Sequence, residues 1–199
     1  MHDQQIRNAM MRAARGGYEL RRGGTVMLRL PNGACGLCRA AELSDTGDIT
    51  RLSRLAGSAT LLILTAPRLS SLGRILRDGC PVATVALPVS HQHDFFELAF
   101  GQNDHLTGSD FTIVAEYAGS LADMAAQLLR SVKLIPAGLF VRLPLRDVAA
   151  QDRFARQHNM MIVESRDLDQ HNHEAASFVK IVARARVPLA VCEDCLLYT

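Results

Sequence analysis

The chain has 199 residues, a net charge of +2 and a hydrophobic share of 48%, which is enough to bury the core of one domain. No apolar run is long enough to span a bilayer, and the first residues lack the apolar stretch of a secretory signal, so we expect a cytoplasmic protein. Five cysteines, an odd number, indicate a reducing compartment rather than a disulfide scaffold.

The basic residues are scattered along the chain and give no footprint for nucleic acid. We interpret the arginines at helix spacing as solvated helix faces. They are Arg51, Arg54, Arg74 and Arg77.

The first hundred residues predict alternating helices and strands. An amphipathic N-terminal helix must stop at Gly16-Gly17 or at Gly23-Gly24. Two apolar runs, 25–30 and 34–41, flank Pro31-Asn-Gly33, and an Asn-Gly pair between such runs is a strong hairpin signal. Helices are expected near 48–56 and 67–76, and strands at 60–65 and 82–87.

Residues 88–110 are polar and rich in histidine, with no sustained period. This pattern predicts a long loop or an irregular insertion, and such loops are often functional or mobile. The apolar run at 111–116 then returns to the sheet.

The stretch 120–169 predicts a helix, a strand, a second helix and a second strand. Ser120 and Asp123 form a capping-box pattern at the start of a helix that Pro136 ends. A buried strand at 139–141 follows, then a helix at about 146–158, a left-handed Asn159 and a buried strand at 160–163. The predicted fold class is therefore α+β (α/β layered), a mixed β-sheet flanked by helices.

Several short motifs occur in the order seen in one enzyme family, and the similarity covers nearly the whole chain. They are Gly23-Gly-Thr-Val, Ala40-Ala-Glu-Leu43, Ala56-Gly-Ser58, Phe111-Thr-Ile-Val-Ala-Glu116, Leu134-Ile-Pro-Ala-Gly138, the run 154–163 and Asp167-Leu168. With these the chain resembles 3,4-dihydroxy-2-butanone 4-phosphate synthase. The resemblance implies that enzyme's fold and a homodimer. The family makes a riboflavin precursor from ribulose 5-phosphate with magnesium.

The departures from the family fall at its chemistry. The family's acidic loop is here Pro31-Asn-Gly-Ala-Cys-Gly36, which offers magnesium no carboxylate and the reaction no general base. Leu121 replaces a metal-binding histidine, Arg142 a catalytic glutamate and Leu62 the active-site cysteine. The family's Arg-His-Gly-Ser is Leu55-Ala-Gly-Ser58, and a sugar-phosphate segment is deleted between Glu116 and Gly119. We therefore expect no synthase activity and assign no catalytic, cofactor-binding or metal-binding residue.

The tail suggests a larger protein. Residues 181–189 resemble the linker before the cyclohydrolase half of fused riboflavin-pathway proteins. We expect a synthase-like domain at 1–185 and, at 186–199, a linker and the start of a following domain. On this interpretation the chain is the non-catalytic, dimerising N-terminal domain of a GTP cyclohydrolase II. Zinc and GTP would bind the half beyond Thr199, whose motifs do not occur here.

Two other patterns have metal-like spacing. The chain contains two C-x-x-C pairs, Cys35 with Cys38 and Cys192 with Cys195. Their four thiolates would suit a four-coordinate zinc ion. Cys35 and Cys38 would point to opposite faces of the predicted strand, which favours a structural role. Histidine pairs also stand beside a carboxylate in segments that do not predict strands, and we interpret them as solvated. They are His91 and His93 with Asp94, and His171 and His173 with Glu174.

An alternative of a different class is a diverged enzyme or sugar-phosphate-binding protein. Its site would use the 88–110 insertion, including Asp104, His105 and Thr107, with Arg142 as an anion clamp. This hypothesis predicts saturable binding of a sugar phosphate or nucleotide that Arg142→Ala weakens. The structural interpretation predicts instead that Arg142 is paired or solvated and that no ligand shifts the melting temperature.

Overall fold

Seven short strands form one mixed sheet in the order β5-β4-β3-β6-β2-β1-β7. The computed structural model describes residues 2–77, 79–87, 92, 94–101 and 111–170. The strands are β1 (Val26–Arg29), β2 (Cys35–Ala40), β3 (Leu61–Thr65), β4 (Val82–Ala86), β5 (Ile113–Glu116), β6 (Gly138–Leu143) and β7 (Met161–Glu164). The helices are α1 (His2–Arg21), α2 (Thr46–Ala56), α3 (Ala66–Ser71), α4 (Phe95–Phe100), α5 (Leu121–Ser131) and α6 (Val148–Gln157). The predicted fold class is confirmed.

The predicted hairpin is confirmed as the pair β1–β2, which is antiparallel with Val26 opposite Cys38. Gly33 supplies the left-handed turn residue, with φ of 81°. β6 lies antiparallel between β2 and β3, while β7 lies parallel to β1 at one edge of the sheet. β5 pairs antiparallel with β4 and is the opposite edge strand.

Side chains alternate between the two faces of the sheet along each strand. Helices cover both faces, so both faces are buried. One face packs against α1 and α5, where Phe140 of the sheet shares a cluster with Leu20 and Leu128 of the helices. The other face packs against α2, α3, α4 and α6, where Leu62 of the sheet shares a cluster with Ile49 of α2. Within the described residues, no helix is long and apolar enough to cross a membrane.

Helix α1 continues through the glycine pair that was one of its two predicted stops. It ends at Arg21, and Gly23 (φ 73°) provides the stop, as the other alternative predicted. A β-carbon on Gly16 would collide with the Val163 side chain, and one on Gly17 with Val132. The two glycines therefore let α1 approach β7 and the end of α5 closely, a packing role that periodicity does not reveal.

For helix α5 the predicted start is confirmed and the predicted end is wrong. The Ser120 side chain accepts a hydrogen bond from the Asp123 backbone N–H. The helix stops at Ser131, five residues before Pro136, because Lys133 adopts a left-handed conformation with φ of 63°. The predicted second helix is α6, and Asn159 has the expected positive φ of 51°.

The prediction of no regular structure at 88–110 is wrong for part of the segment. Helix α4 occupies Phe95–Phe100 and buries Phe95, Leu98 and Ala99 against the sheet. These three positions have the i, i+3, i+4 spacing of one helix face, but six residues are too few for a sustained period. Arg68 holds the helix in place by donating to the carbonyls of Glu97, Leu98 and Gly101. Helix α3 is also shorter than predicted and ends at Ser71.

Candidate functional site

The turn between β1 and β2, which replaces the acidic loop of the resembled family, is closed by its own hydrogen bonds. The Leu30 N–H donates to Ala34 O over 2.9 Å, and the Ala34 N–H donates to the Asn32 side chain over 3.0 Å. Fully buried Gln151 donates from Nε2 to Gly33 O (2.9 Å) and to the Leu145 carbonyl (2.8 Å). Backbone atoms and amides thus satisfy the turn, with no carboxylate that would hold a metal.

Gln151 is a residue that sequence reasoning missed. Its Oε1 has no hydrogen-bond partner, although the side chain is fully buried on α6. Exchanging Oε1 and Nε2 by a flip of the amide would be unfavourable, because Oε1 would then face the carbonyl oxygens of Gly33 and Leu145. Nothing in a lone glutamine on an amphipathic helix signals such an anchoring role.

The start of α5 is stabilised by side chains that accept hydrogen bonds from backbone N–H groups. Asp123 accepts from the Gly119 backbone N–H (2.8 Å) and from Gln127 Nε2 (2.8 Å). The reciprocal bond of the predicted capping box therefore goes to Gly119 rather than to Ser120. Leu121, at the family's histidine position, is 5% exposed and belongs to the same buried cluster as Phe140. The side chain at this position therefore contributes to the apolar core.

Arg142 is paired, as the structural interpretation predicted. It lies opposite Gly36 across β2 and β6, next to the turn. Its guanidinium contacts the buried Glu116 carboxylate, which also accepts from the Thr84 hydroxyl over 3.2 Å. The guanidinium carbon lies 5.4 Å from the centre of the Phe140 ring. An incoming anion would have to compete with Glu116, so the geometry disfavours Arg142 as an anion clamp.

Leu62 and Ser58, at the other positions compared with the resembled family, lie in different environments. Leu62 is fully buried in the cluster that faces α2, on the opposite side of the sheet from Leu121. Ser58 lies close to β6, and its hydroxyl donates to the Arg142 carbonyl over 3.4 Å. The structure therefore brings the turn, Arg142 and Ser58 together while directing Leu62 into a core.

A cavity of about 370 Å³ lies where the turn faces α5 and the helical residues 165–170. Neither lysine nor arginine is among its lining residues, and Asp169 is their one carboxylate. A phosphorylated ligand would find no lysine or arginine there, and a hard divalent cation would find a single carboxylate. The lining residues are Leu30, Pro31, Asn32, Tyr117, Gly119, Met124, Gln127, Ser165, Leu168 and Asp169.

A smaller neighbouring cavity of about 220 Å³ does contain cations, but they are engaged. Arg29 bonds to Asp152 (2.9 Å) and to Glu164 (2.7 Å). Burial opposes its charge, yet the bonds to the two carboxylates outweigh burial and raise the pKa of Arg29. Arg166 bonds to Glu164 over 2.5 Å. These pairs fasten β1, β7 and α6 together.

The cysteines of β2 point to opposite faces of the sheet, as predicted. Cys38 is fully buried, and burial raises the pKa of its thiol to about 12. Burial also raises the pKa of Cys35, whose Sγ donates to Leu145 O over 3.3 Å. Protonated thiols are poor metal ligands. The partner pair, Cys192 and Cys195, lies outside the described residues.

Across the part of the chain that the structure describes, no group of three or more potential metal ligands occurs. The histidine patterns lie almost entirely outside the described residues. They comprise His91, His93, Asp104, His105, Thr107, His171, His173 and Glu174. Asp94, the described member, directly precedes α4.

Two of the family-like motifs, 40–43 and 134–138, are joined by hydrogen bonds. The Ala41 N–H donates to the Ala137 carbonyl over 3.0 Å, and Glu42 Oε1 accepts from the Ile135 N–H over 2.9 Å. Ala40 then pairs with Gly138 where β2 and β6 begin to run together. We name this junction of residues 40–43 with residues 133–138 the scaffold seam. The motifs that the sequence retains thus perform a structural task.

Comparisons with known proteins agree with this arrangement. No family model matches the chain. A GTP cyclohydrolase-2 from Azospirillum brasilense is 29% identical over 192 residues, which are 94% of this chain and 49% of that protein. The chain therefore spans about half the length of this curated relative.

Solved structures resemble the fold at low sequence identity. A two-domain 3,4-dihydroxy-2-butanone 4-phosphate synthase from A. baumannii superposes with a TM-score of 0.64 at 15% identity, covering 87% of this chain and 60% of that one. The Candida albicans synthase gives 0.61 at 15% identity, covering 81% of this chain and 96% of its own. A cation-free form of the synthase gives 0.62 at 15% identity, with 82% and 97% covered. By its fold the chain is a 3,4-dihydroxy-2-butanone 4-phosphate synthase-like domain.

Proposed function

We propose that the chain is a non-catalytic structural domain of a riboflavin-pathway protein whose activity is that of a GTP cyclohydrolase II. The observation that carries the proposal is the replacement of the family's chemistry by packing. Leu121 is buried, Arg142 is paired with Glu116, and the turn at 31–36 is closed by amides and backbone groups. A fold retained without its reactive groups is a scaffold on which a different function depends.

The relative supports the parent activity. A GTP cyclohydrolase-2 matches 94% of this chain with about half of its own length, which leaves room for a second domain. In this proposal the chain divides into a synthase-like domain at 1–185 and, at 186–199, a linker with the start of a following domain. The zinc that cyclohydrolase chemistry needs belongs to the other domain. The described cysteines are free thiols, which fits a cytoplasmic location.

The domain's own task is then dimerisation and support of its partner domain. A synthase-like fold that buries both sheet faces gives a rigid platform for a second copy. Sedimentation equilibrium of the purified chain measures this directly, and we expect a mass of two chains. A strictly monomeric chain at all concentrations would remove dimerisation from the proposal.

Two assays test the catalytic part. The purified chain, incubated with ribulose 5-phosphate and magnesium, is expected to give no four-carbon phosphate product. The protein encoded by the complete gene is expected to hydrolyse GTP and to lose that activity with a zinc chelator. Turnover of ribulose 5-phosphate by the chain would refute the non-catalytic role, and a gene that encodes no cyclohydrolase domain would refute the parent activity.

A further inference from the structure

Helix α1 has two faces with different tasks. Its inner face packs against the core, and three of its residues are at most 2% exposed, namely Ala9, Ala13 and Leu20. On the same face, Gly16 lies close to Val163 and Gly17 lies close to Val132. The Arg12 guanidinium makes two bonds to the fully buried Asp167, at 2.6 and 3.0 Å, which fixes the helix against residues 165–170. The outer face is therefore presented on a rigid support.

The outer face has the spacing of a helix-packing seam. Arg7, Met11, Ala14, Tyr18 and Arg21 are all exposed and follow one another at intervals of four, three, four and three residues. This alternation places side chains in one line along a helix and is the pattern with which two helices interdigitate. We call these five residues the outer seam.

The exposed apolar side chains lie at the centre of the outer seam, and the charges surround them. Met11 is 44% exposed and Tyr18 is 62% exposed. Arg7 and Arg21 close the two ends, while Arg15 and Arg22 stand beside the line. The Arg22 guanidinium lies 6.0 Å from the Tyr18 ring centre. Among the described residues, Arg7, Arg15 and Arg21 have no ion-pair partner. An apolar centre with a charged rim is the usual composition of a protein interface.

The charges select the occupant. A second copy laid on the outer seam would oppose Arg7 to Arg7 if parallel, or Arg7 to Arg21 if antiparallel, and both arrangements repel. An anionic lipid surface would attract the arginines, but it would give no role to the four–three spacing of the outer seam. An amphipathic helix with apolar seam residues and flanking carboxylates would satisfy both the spacing and the charge.

We propose that the outer seam of α1 is a docking site for an acidic amphipathic helix of a protein partner. The apolar centre supplies contact area, and the arginines supply orientation and choice of partner. This proposal does not depend on the catalytic status of the domain.

The test uses the purified chain and a synthetic helical peptide of about three heptads, with leucine at seam positions and glutamate on the flanks. Fluorescence anisotropy is expected to show saturable binding with one peptide per chain, weakened by added salt. A peptide of equal composition in scrambled order is expected not to bind. Equal binding of both peptides, or of neither, would overturn the proposal.

Variants separate the outer seam from general basic charge. The double change Arg15→Glu with Arg22→Glu is expected to weaken binding of the glutamate-flanked peptide about tenfold. The same double variant is expected to bind a peptide with lysine flanks instead. Tyr18→Ala removes the apolar centre and is expected to weaken binding at high salt as well.

The matched control is Arg153→Glu with Arg156→Glu, which changes two exposed arginines of α6 by the same charge and should leave binding unchanged. Circular dichroism verifies that each variant is folded. If the α6 control weakens binding as much as the α1 change, the attraction is non-specific and the docking site is refuted. Binding to phosphatidylserine vesicles without binding to the ordered peptide would refute it as well.

Discussion

The scaffold seam lies at one end of the β2–β6 pair, and the turn at 31–36 lies with Arg142 at the other end. We call this turn, together with Arg142 and Leu121, the turn region, and the two regions are held together by different means. At the scaffold seam, family-like motifs persist, and they bond to each other through Ala41, Glu42 and Ile135. In the turn region, Arg142 is paired with Glu116, and Leu121, the first residue of α5, is buried in the same apolar cluster as Phe140. The difference teaches that the two ends of one strand pair can be closed in different ways, by hydrogen bonds to the main chain at one end and by apolar burial with an ion pair at the other.

The largest effect is expected from the core that both regions share. Phe140 is fully buried on β6 beneath Arg142, and Phe140→Ala should lower the free energy of unfolding by about 3–5 kcal/mol. Urea denaturation with a linear extrapolation measures this. Tyr117→Ala, at a side chain that is 64% exposed, is the control and should change stability by less than about 0.5 kcal/mol. Similar losses in both variants would show that Phe140 is not part of a tight core.

Restoring a family residue tests whether the turn region is now a core. Leu121→His places a polar ring in an apolar site and should cost about 1–3 kcal/mol, with no gain of synthase activity. Thermal and urea unfolding give the stability, and product formation from ribulose 5-phosphate gives the activity. Leu121→Met keeps the apolar character and is the matched control. A neutral effect of histidine would mean that the site is still solvated.

The close approach of α1 can be broken and repaired. Gly17→Ala would raise helix propensity, but its methyl group meets Val132, so stability should fall by about 1–3 kcal/mol. Val132→Ala in the same chain makes room and should recover part of the loss relative to Gly17→Ala alone. A double-mutant cycle measures this coupling. A simple gain in stability from Gly17→Ala would contradict the packing described here.

Cys38 makes stability depend on alkaline pH. Its thiol has an ordinary pKa of 9.0 when unfolded and about 12 when folded, because burial disfavours the thiolate. Between these values only the unfolded state loses the proton, so the free energy of unfolding should fall as the pH rises from 9 towards 12. Unfolding of the chain at pH 8, 9 and 10 measures this, and Cys38→Ala is expected to lose this part of the slope. Equal slopes would contradict the assignment.

The smallest effect is expected at the scaffold seam. Glu42→Ala removes the acceptor of the Ile135 N–H and should cost about 0.5–1.5 kcal/mol. Glu42→Gln keeps an acceptor oxygen and should lose less. Urea denaturation compares the two. If both changes are silent, the bond between the two motifs contributes nothing, and the contrast between the scaffold seam and the turn region would lose its energetic basis.

The sequence predicted elements well where a local rule decides the structure. The Asn-Gly turn, the Ser120 cap and the left-handed Asn159 depend on neighbouring atoms, and all three occur. Helix ends were less accurate. Pro136 predicts a later end for α5, yet the helix ends at Ser131 and the chain turns at Lys133 to reach the scaffold seam. Tertiary contacts, rather than the helix breaker, set this boundary.

Much of the candidate site could also be inferred, because the loss of acidic residues from the turn is visible in the sequence itself. The partners could not. Glu116 pairs with Arg142 from 26 positions away, and Gln151 holds Gly33 from 118 positions away. Side chains this far apart meet only after the sheet has formed.

The amino-acid sequence by itself determined the α+β class, the order of most elements and the absence of the acidic loop, because each follows from local periodicity or from the residues present. The tertiary structure decided which side chains meet. It placed Gly16 and Gly17 inside a helix, made a short helix of 95–100, and neutralised Arg142 with Glu116. These outcomes depend on close packing between distant segments, whose geometry no local pattern encodes.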